Sequence, residues 1–577
     1  MIQELVEFGK RITAGKSKAF RKENFTTVIV INEKGEFQKF IGGGSAETAI
    51  ITEHDKKKGP IGIIRAKKGH ARLLLDKCEE VLGIGDNAKK KHKVFLEVLE
   101  RYKGVKSLQP VFLFYDEKNK EGLTKAISEF SKLDNNAKSG NITFMVNNDL
   151  LLKKEEVRTA IINLYEEDIR KLKDGKICSI CGKTDSPILD EPHGLVKMPK
   201  GQTAGCALVS YNEAAFMSYG LNGNLNSSIC RDCARNYIEG LDFLLTDGYE
   251  VPKSEKQKAH YKYNHRIKIS DSTVALFWTR QETKDINPFV IMSPDTSWIK
   301  GLFESIWSGQ KSKGDTVDTN MFYSCTLSSA AARIAVRDWT AISLDEYKKS
   351  LAEWFYDIEI EGKDSDLVYS PLKLLINATE KDKKVGEDPK RADSSTKSRI
   401  GLILWNAAIK GKSYIIPLEI IQSVLIRIWK GGIFSSERAA IIKLVINRNT
   451  NKKMKSILDE TNTSMAYLCG RLFAVIESMQ WKAIGNVNSS VKDRFFAAAA
   501  SQPAYIFGTL LTKSVPVYQH KINGYLAKEL KEIAGKISEQ GSFPLRFSTI
   551  EQGEFALGYY FQRTHKTNIE TKEDSNL

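Results

Sequence analysis

Two cysteine pairs, Cys178-x-x-Cys181 and Cys230-x-x-Cys233, stand 48 residues apart, and they constrain this chain more than any other feature. Four thiolates arranged in two such pairs can close a tetrahedron around one Zn2+ in a structural role. Each pair forms a tight knuckle, and Gly182, directly after the first, permits the turn that a knuckle needs. The segment between the pairs is too long for a minimal ribbon, so a lobe pinned at both ends is expected. Two unrelated reduced pairs, or a disulfide, are the competing readings. No charged start followed by an apolar stretch and a small-residue cleavage site is visible at the beginning of the sequence. A reducing, cytoplasmic setting is therefore expected, which disfavours the disulfide. Cys78, Cys206, Cys325 and Cys469 are scattered and read as small buried hydrophobes.

With 577 residues the chain has room for roughly three to four domains. No run approaches the ~18 apolar residues of a membrane-spanning helix, so no membrane role is expected. The net charge of +16 is unevenly placed: residues 56–103 hold fourteen basic and six acidic side chains, half of the whole excess. A clustered positive field attracts phosphate backbones by displacing their counterions, which points to a polyanionic partner. A solvated helix face is the plainer reading of the same charges.

The pattern along the chain predicts an α+β, multidomain protein: mixed α/β N-terminal and zinc-braced middle domains followed by a C-terminal helical bundle. A basic α/β domain is expected over 1–148, with strands at 26–32, 111–115 and 141–146. A middle domain over 149–342 carries the four cysteines, a helical stretch at 149–172, a buried strand at 271–280, and a strand followed by a helix at 321–337. From there the pattern is almost entirely helical, as a linker domain over 343–453 interrupted by a charged, serine-bearing loop at 380–398. A bundle follows over 454–577, with Pro503, Pro516 and Pro544 as breaks.

Seven blocks carry a resemblance. They are RLLLDKCEEVLG (72–83), ALVSYNEAAFMSYG (207–220) with Asn226 after it, TVALFWTR (273–280), LSSAAARIAVRDW (327–339), AYLCGRLFAVIESMQWKA (466–483), VKDRFFAAAASQPAYIF (491–507) and EQGEFALGYYFQR (551–563). In this order they resemble the large subunit of type I-C CRISPR interference complexes (Cascade), the Csd family of the Dvulg subtype. The resemblance covers essentially the whole chain. Relatives often have incomplete cysteine knuckles, so zinc would be a local brace here. They also more often show a glutamine where Leu221-Asn222-Gly223-Asn224 stands after SYG.

The resemblance implies a non-enzymatic subunit that joins a guide crRNA assembly and grips target double-stranded DNA. It would read the protospacer-adjacent motif before R-loop formation, while base pairing reads the rest. Implied partners are the Cascade backbone, crRNA-processing and small subunits, and a helicase-nuclease recruited once the strands are open. Lys56, Lys57, Lys58, Lys67, Lys68 and Arg72 would hold DNA phosphates. The loop with Ser218, Tyr219, Asn222, Asn224 and Asn226 has the amide donors and glycines that motif reading needs, although an ordinary Gly and Asn turn has the same composition. The C-terminal region resembles the small subunit, with Met454 and Met465 as candidate internal starts. Arg471, Lys492, Arg494 and Arg563 are its candidate strand contacts.

Two rivals stand beside this reading. A metal-dependent nuclease would need a ligand motif, yet no Walker-type glycine loop or His-Glu-x-x-His occurs, and His260 and His265 form only a loose pair. A stand-alone zinc-ribbon RNA-binding protein would explain the knuckles and the basic domain but leaves the helical C-terminal part without a role.

Overall fold

The structure is a computed structural model that describes all residues except 16, 50–70, 86–87, 172–175, 185–187, 189–192, 212, 218, 222–225, 254–258, 284–285, 308–319, 363–365, 383–393, 431–432, 486–487, 521–523 and 575–577. The chain is α+β. It packs as two compact units, Met1–His265 with Ser328–Ala335, and Arg266–Leu327 with Val336–Leu577. The boundary expected at 148 lies within the first unit, whose apolar cluster continues through Leu150, Val157 and Ile161. Those at 342 and 453 lie within the second, where a single core runs from Ile267 to Phe561.

In the first unit the strand Thr27–Ile31 is buried at every position, as its β-branched TVIVI sequence dictates for a strand covered on both faces. It runs parallel to Asn141–Val146 and antiparallel to Phe37–Ile41, and Leu75–Lys77 extends the sheet on the other side. Residues 111–115, expected as a strand, instead lie mostly in the helix Gln109–Phe114. Pro110 sits in its first turn, where its missing N–H costs nothing, and Val111 and Phe114 are buried three residues apart, a helical spacing.

The helices Ile2–Ile12 and Arg231–Thr246 meet at two glycines. A Cβ on Gly9 would lie 1.9 Å from the Asn236 carbonyl oxygen, and one on Gly240 would lie 2.9 Å from that of Leu5. Only bare backbone lets these helices approach so closely.

Residues 321–337, expected as a strand followed by a helix, are extended on both sides of a turn. Strands Met321–Ala330 and Arg333–Ser343 form a hairpin, and Ala331 takes the left-handed conformation at its turn (φ +53°). Residues 322–328 are continuously buried, and that burial overrides the helix preference of the alanines. The tip belongs to the first unit, where Ala207 N–H donates to Ala332 O at 2.9 Å. In the second unit Thr273–Thr279 is buried throughout and pairs antiparallel with Arg266–Lys268.

Among the described residues the remaining regular structure of the second unit is helical apart from the short pair Ile360–Glu361 and Leu367–Val368. The helix Leu344–Ile358 opens with a capping box between Ser343 and Glu346. Of the loop expected at 380–398, residues 383–393 lie outside the described residues, and Ser394 already starts the helix Ser394–Lys410. Pro516 does not break its helix. The π-helical turn Leu510–Ser514 directly before it accommodates the missing donor. Between helices, Asp357 and Arg448 form an ion pair at 2.6 Å with side chains 1% and 0% exposed.

The long helices Met465–Ile484 and Thr549–Asp574 repeat the glycine device. Cβ atoms on Gly470 and Gly558 would lie 1.9 Å from Phe555 O and 2.2 Å from Tyr467 O. Gly470→Ala should therefore destabilise the chain by about 3 kcal/mol, since backbone cannot yield as a side chain does. Gly535→Ala, in a helix with open space at the Cβ, should gain up to about 1 kcal/mol. Chemical denaturation of the two variants checks the contrast, and equal effects would refute the close-packing account.

Candidate metal centre and nucleic-acid interface

The first knuckle turns on Gly182 (φ +70°), whose N–H donates to Cys178 O at 2.9 Å, while Cys178 N–H donates to Lys183 O at 3.0 Å. The second knuckle is the start of the helix Arg231–Thr246, with Cys230 as its N-cap and Cys233 in its first turn. The knuckles are joined directly, because Ser179 N–H donates to Ser228 O at 3.0 Å and Cys230 N–H donates to the Cys178 sulfur at 3.3 Å. All four sulfurs lie within 4.8 Å of one another. Cys178, Cys230 and Cys233 are buried, and Cys181 is half-buried.

A zinc ion with four bonds of about 2.3 Å requires sulfurs about 3.8 Å apart. Cys181 and Cys230 have that separation, 3.8 Å, far beyond disulfide length. Backbone N–H groups of Ile180 and Cys233 donate to the Cys178 and Cys230 sulfurs at 3.4 and 3.5 Å. Without a metal, Cys230 is lowered to about 5 because it accepts the Cys233 S–H, and Cys233 is correspondingly raised. The donor set fits a tetrahedral thiophilic ion. Cys206, Cys325 and Cys469 are buried elsewhere, and Cys78 is half-buried.

The other expected site residues divide by position. In the loop pinned by the knuckles, Tyr219 is fully exposed and held left-handed (φ +52°), and Asn226 donates its amide to Leu221 O at 3.1 Å. Ser218, Asn222 and Asn224 lie outside the described residues, as do Lys56, Lys57, Lys58, Lys67 and Lys68. Arg72 is already engaged, with Asp76 at 2.9 Å and Glu23 at 3.1 Å. Any phosphate would have to compete with two carboxylates for it.

Arg471 is a core residue, 1% exposed, donating to Gln562 Oε1 at 2.7 Å and lying 3.6 Å from Glu529. A strand on the surface cannot reach it. Two of the other three lie beside Tyr559: Lys492 Nζ is 6.0 Å and the Arg563 guanidinium 5.9 Å from its ring. Arg494 is exposed on the helix Val491–Ser501, with its guanidinium 5.6 Å from the Phe495 ring. Burial, reinforced by Arg563, lowers the Lys492 pKa. Among the described residues neither His260 nor His265 belongs to a group of three or more side chains that could hold a metal.

Sequence reasoning missed a cleft that opens on Cys181, Cys230 and Cys233, into which Lys22, Lys183 and Lys197 also face. Those lysines are far apart in the chain, and no local pattern unites them. Among the described residues no helix is long and apolar enough to cross a membrane.

Fold and site together define an α+β chain with, among the described residues, one four-cysteine cluster able to hold a metal and long glycine-packed helices. The family described as CRISPR-associated protein (Cas_Csd1) matches residues 5–566, and the chain belongs to that family. No curated protein matches it.

Proposed function

We propose that the chain is the non-catalytic large subunit of a type I-C CRISPR RNA-guided surveillance complex, working in the cytoplasm with a structural Zn2+ on Cys178, Cys181, Cys230 and Cys233. The observation that carries this reading is the family match over nearly the whole length. In this role the subunit joins the guide crRNA with the backbone, crRNA-processing and small subunits. It grips target duplex DNA, recognises the protospacer-adjacent motif, promotes R-loop formation and leaves a surface for the helicase-nuclease.

Two features support the assignment of parts. The four clustered cysteines sit at both ends of the segment bearing Tyr219, so a metal held by them would present an exposed aromatic with an unusual backbone conformation from a fixed base. Lys492 and Arg563 beside Tyr559, with Arg494 exposed on the Lys492 helix, give the helical unit cations suited to a displaced or target strand.

Reconstitution with guide RNA and partner subunits tests the function. Target opening, read by permanganate reactivity of unpaired thymines, should disappear when this chain is left out. Equal opening without it would refute the proposal. Cleavage of duplex DNA by the chain alone with a divalent metal would favour the nuclease instead.

A further inference from the structure

The cleft on the cysteine cluster has a volume of about 910 Å³, at the upper end of the range for ligand clefts. With the thiolates left aside, its charged side chains do not balance. Among its acidic liners, Asp232 pairs with Lys18 at 2.6 Å, Glu239 with Arg235 at 2.6 Å, and Glu47 with Arg158 at 3.0 Å. Lys10 is taken by Glu7 at 2.7 Å. Among the described residues that leaves Asp242 as the one lining carboxylate without a cation, against three lysines without a carboxylate.

Lys22, Lys183 and Lys197 form no ion pair among the described residues, and Lys197 donates only to the Thr203 carbonyl. They come from three separate segments: the strand Phe20–Phe25, the first cysteine knuckle, and the stretch after Leu195–Val196. Three mutually repelling cations around one concavity are relieved by an anion inside it.

We infer that this cleft binds the phosphodiester backbone of a single nucleic-acid strand, with Lys22, Lys183 and Lys197 on its phosphates. A duplex is too thick to enter a cavity of this size, whereas a few nucleotides of one strand fit. The walls offer no open aromatic platform. Phe20 is buried under the Arg158 guanidinium, 4.1 Å from its ring, and Phe243 packs against Phe8 and His265. Recognition is therefore by charge, independent of sequence and sensitive to salt. The bound strand lies against the sulfurs of Cys181, Cys230 and Cys233, so the metal site forms part of the floor.

The ligand class rests on the nucleic-acid reading of the chain, but the placement does not. The competing role for the lysines is to offset the two net negative charges that four thiolates leave around a divalent ion.

The test uses the full chain with zinc and the variant Lys22→Gln/Lys183→Gln/Lys197→Gln, whose three positions are at the surface. Short fluorescent oligo(dT) and oligo(rU) strands and a blunt duplex are titrated at several salt concentrations. Single-strand affinity should fall on the order of 100-fold at about 0.1 M salt, and the log–log salt slope should shrink by about 2, the value for three phosphates. Zinc content should stay unchanged, and the preferred strand type identifies the source. Unchanged single-strand affinity and slope would overturn the inference, as would a variant that gives up zinc to a chelator more readily while binding strands normally. If the duplex is not bound but the single-strand response is as expected, the cleft assignment stands and the duplex-gripping role falls. If duplex binding is intact and no single strand is bound, the cleft assignment alone falls.

Discussion

Cys230→Ser should strip the chain of its metal and loosen the lobe between the two knuckles. The wild-type protein should contain one zinc per chain by elemental analysis, and the variant none. Cys230 is the strategic choice because it caps the helix Arg231–Thr246, donates its N–H to the Cys178 sulfur and lies 3.8 Å from the Cys181 sulfur. Zinc contributes on the order of 10 kcal/mol in small all-ligand domains, far more than any one packing contact. The variant should show new proteolytic cuts between residues 182 and 229 and an earlier thermal transition. Cys206→Ser, at a buried cysteine outside the cluster, should keep the zinc. A metal-free wild type, or a Cys230→Ser protein with unchanged proteolysis and melting, would rule out the metal brace.

Asp357→Ala should be the most damaging single change in the second unit, at about 3–5 kcal/mol, because it leaves the Arg448 guanidinium buried without its counter-charge. The pair is fully enclosed, at 2.6 Å, and Asn447 also donates to Asp357 at 2.9 Å. Nothing in water compensates either charge. Replacing both partners, as Asp357→Leu with Arg448→Met, should recover most of the loss, since the desolvation cost disappears with the charges. Urea unfolding followed by the fluorescence of buried Trp354 and Trp405 reads both variants. A loss below about 1 kcal/mol for the single change would mean that the pair is not a critical contact.

What could be read from the sequence follows from how local each signal is. The cysteine knuckles were legible because ligand spacing is a short-range constraint, and the structure brings those four sulfurs together. The strand Thr273–Thr279 and the helices Met465–Ile484 and Val491–Ser501 were legible from composition and period. Val111 to Tyr115 misled because five apolar residues do not reveal their period, and the informative residue was Pro110 ahead of them. The alanines at 330–332 misled because their helix preference is weaker than the burial of the neighbouring strand. Arg471 read as a surface cation because its partners, Gln562 and Glu529, are remote in sequence. The lysines of the cleft were invisible for the same reason.

The close approach of Gly9 and Gly240 bears on how the protein is made. The helix Ile2–Ile12 leaves the ribosome about 220 residues ahead of the helix it packs against. At about 5–20 residues per second, its apolar side waits roughly 10–45 seconds for that partner. During that interval Leu5, Val6 and Phe8 have no cover from Arg231–Thr246, so the nascent chain is a natural client for a holding chaperone. Slowing translation just upstream of codon 230 should lower the yield of intact protein more than the same pause placed after codon 265.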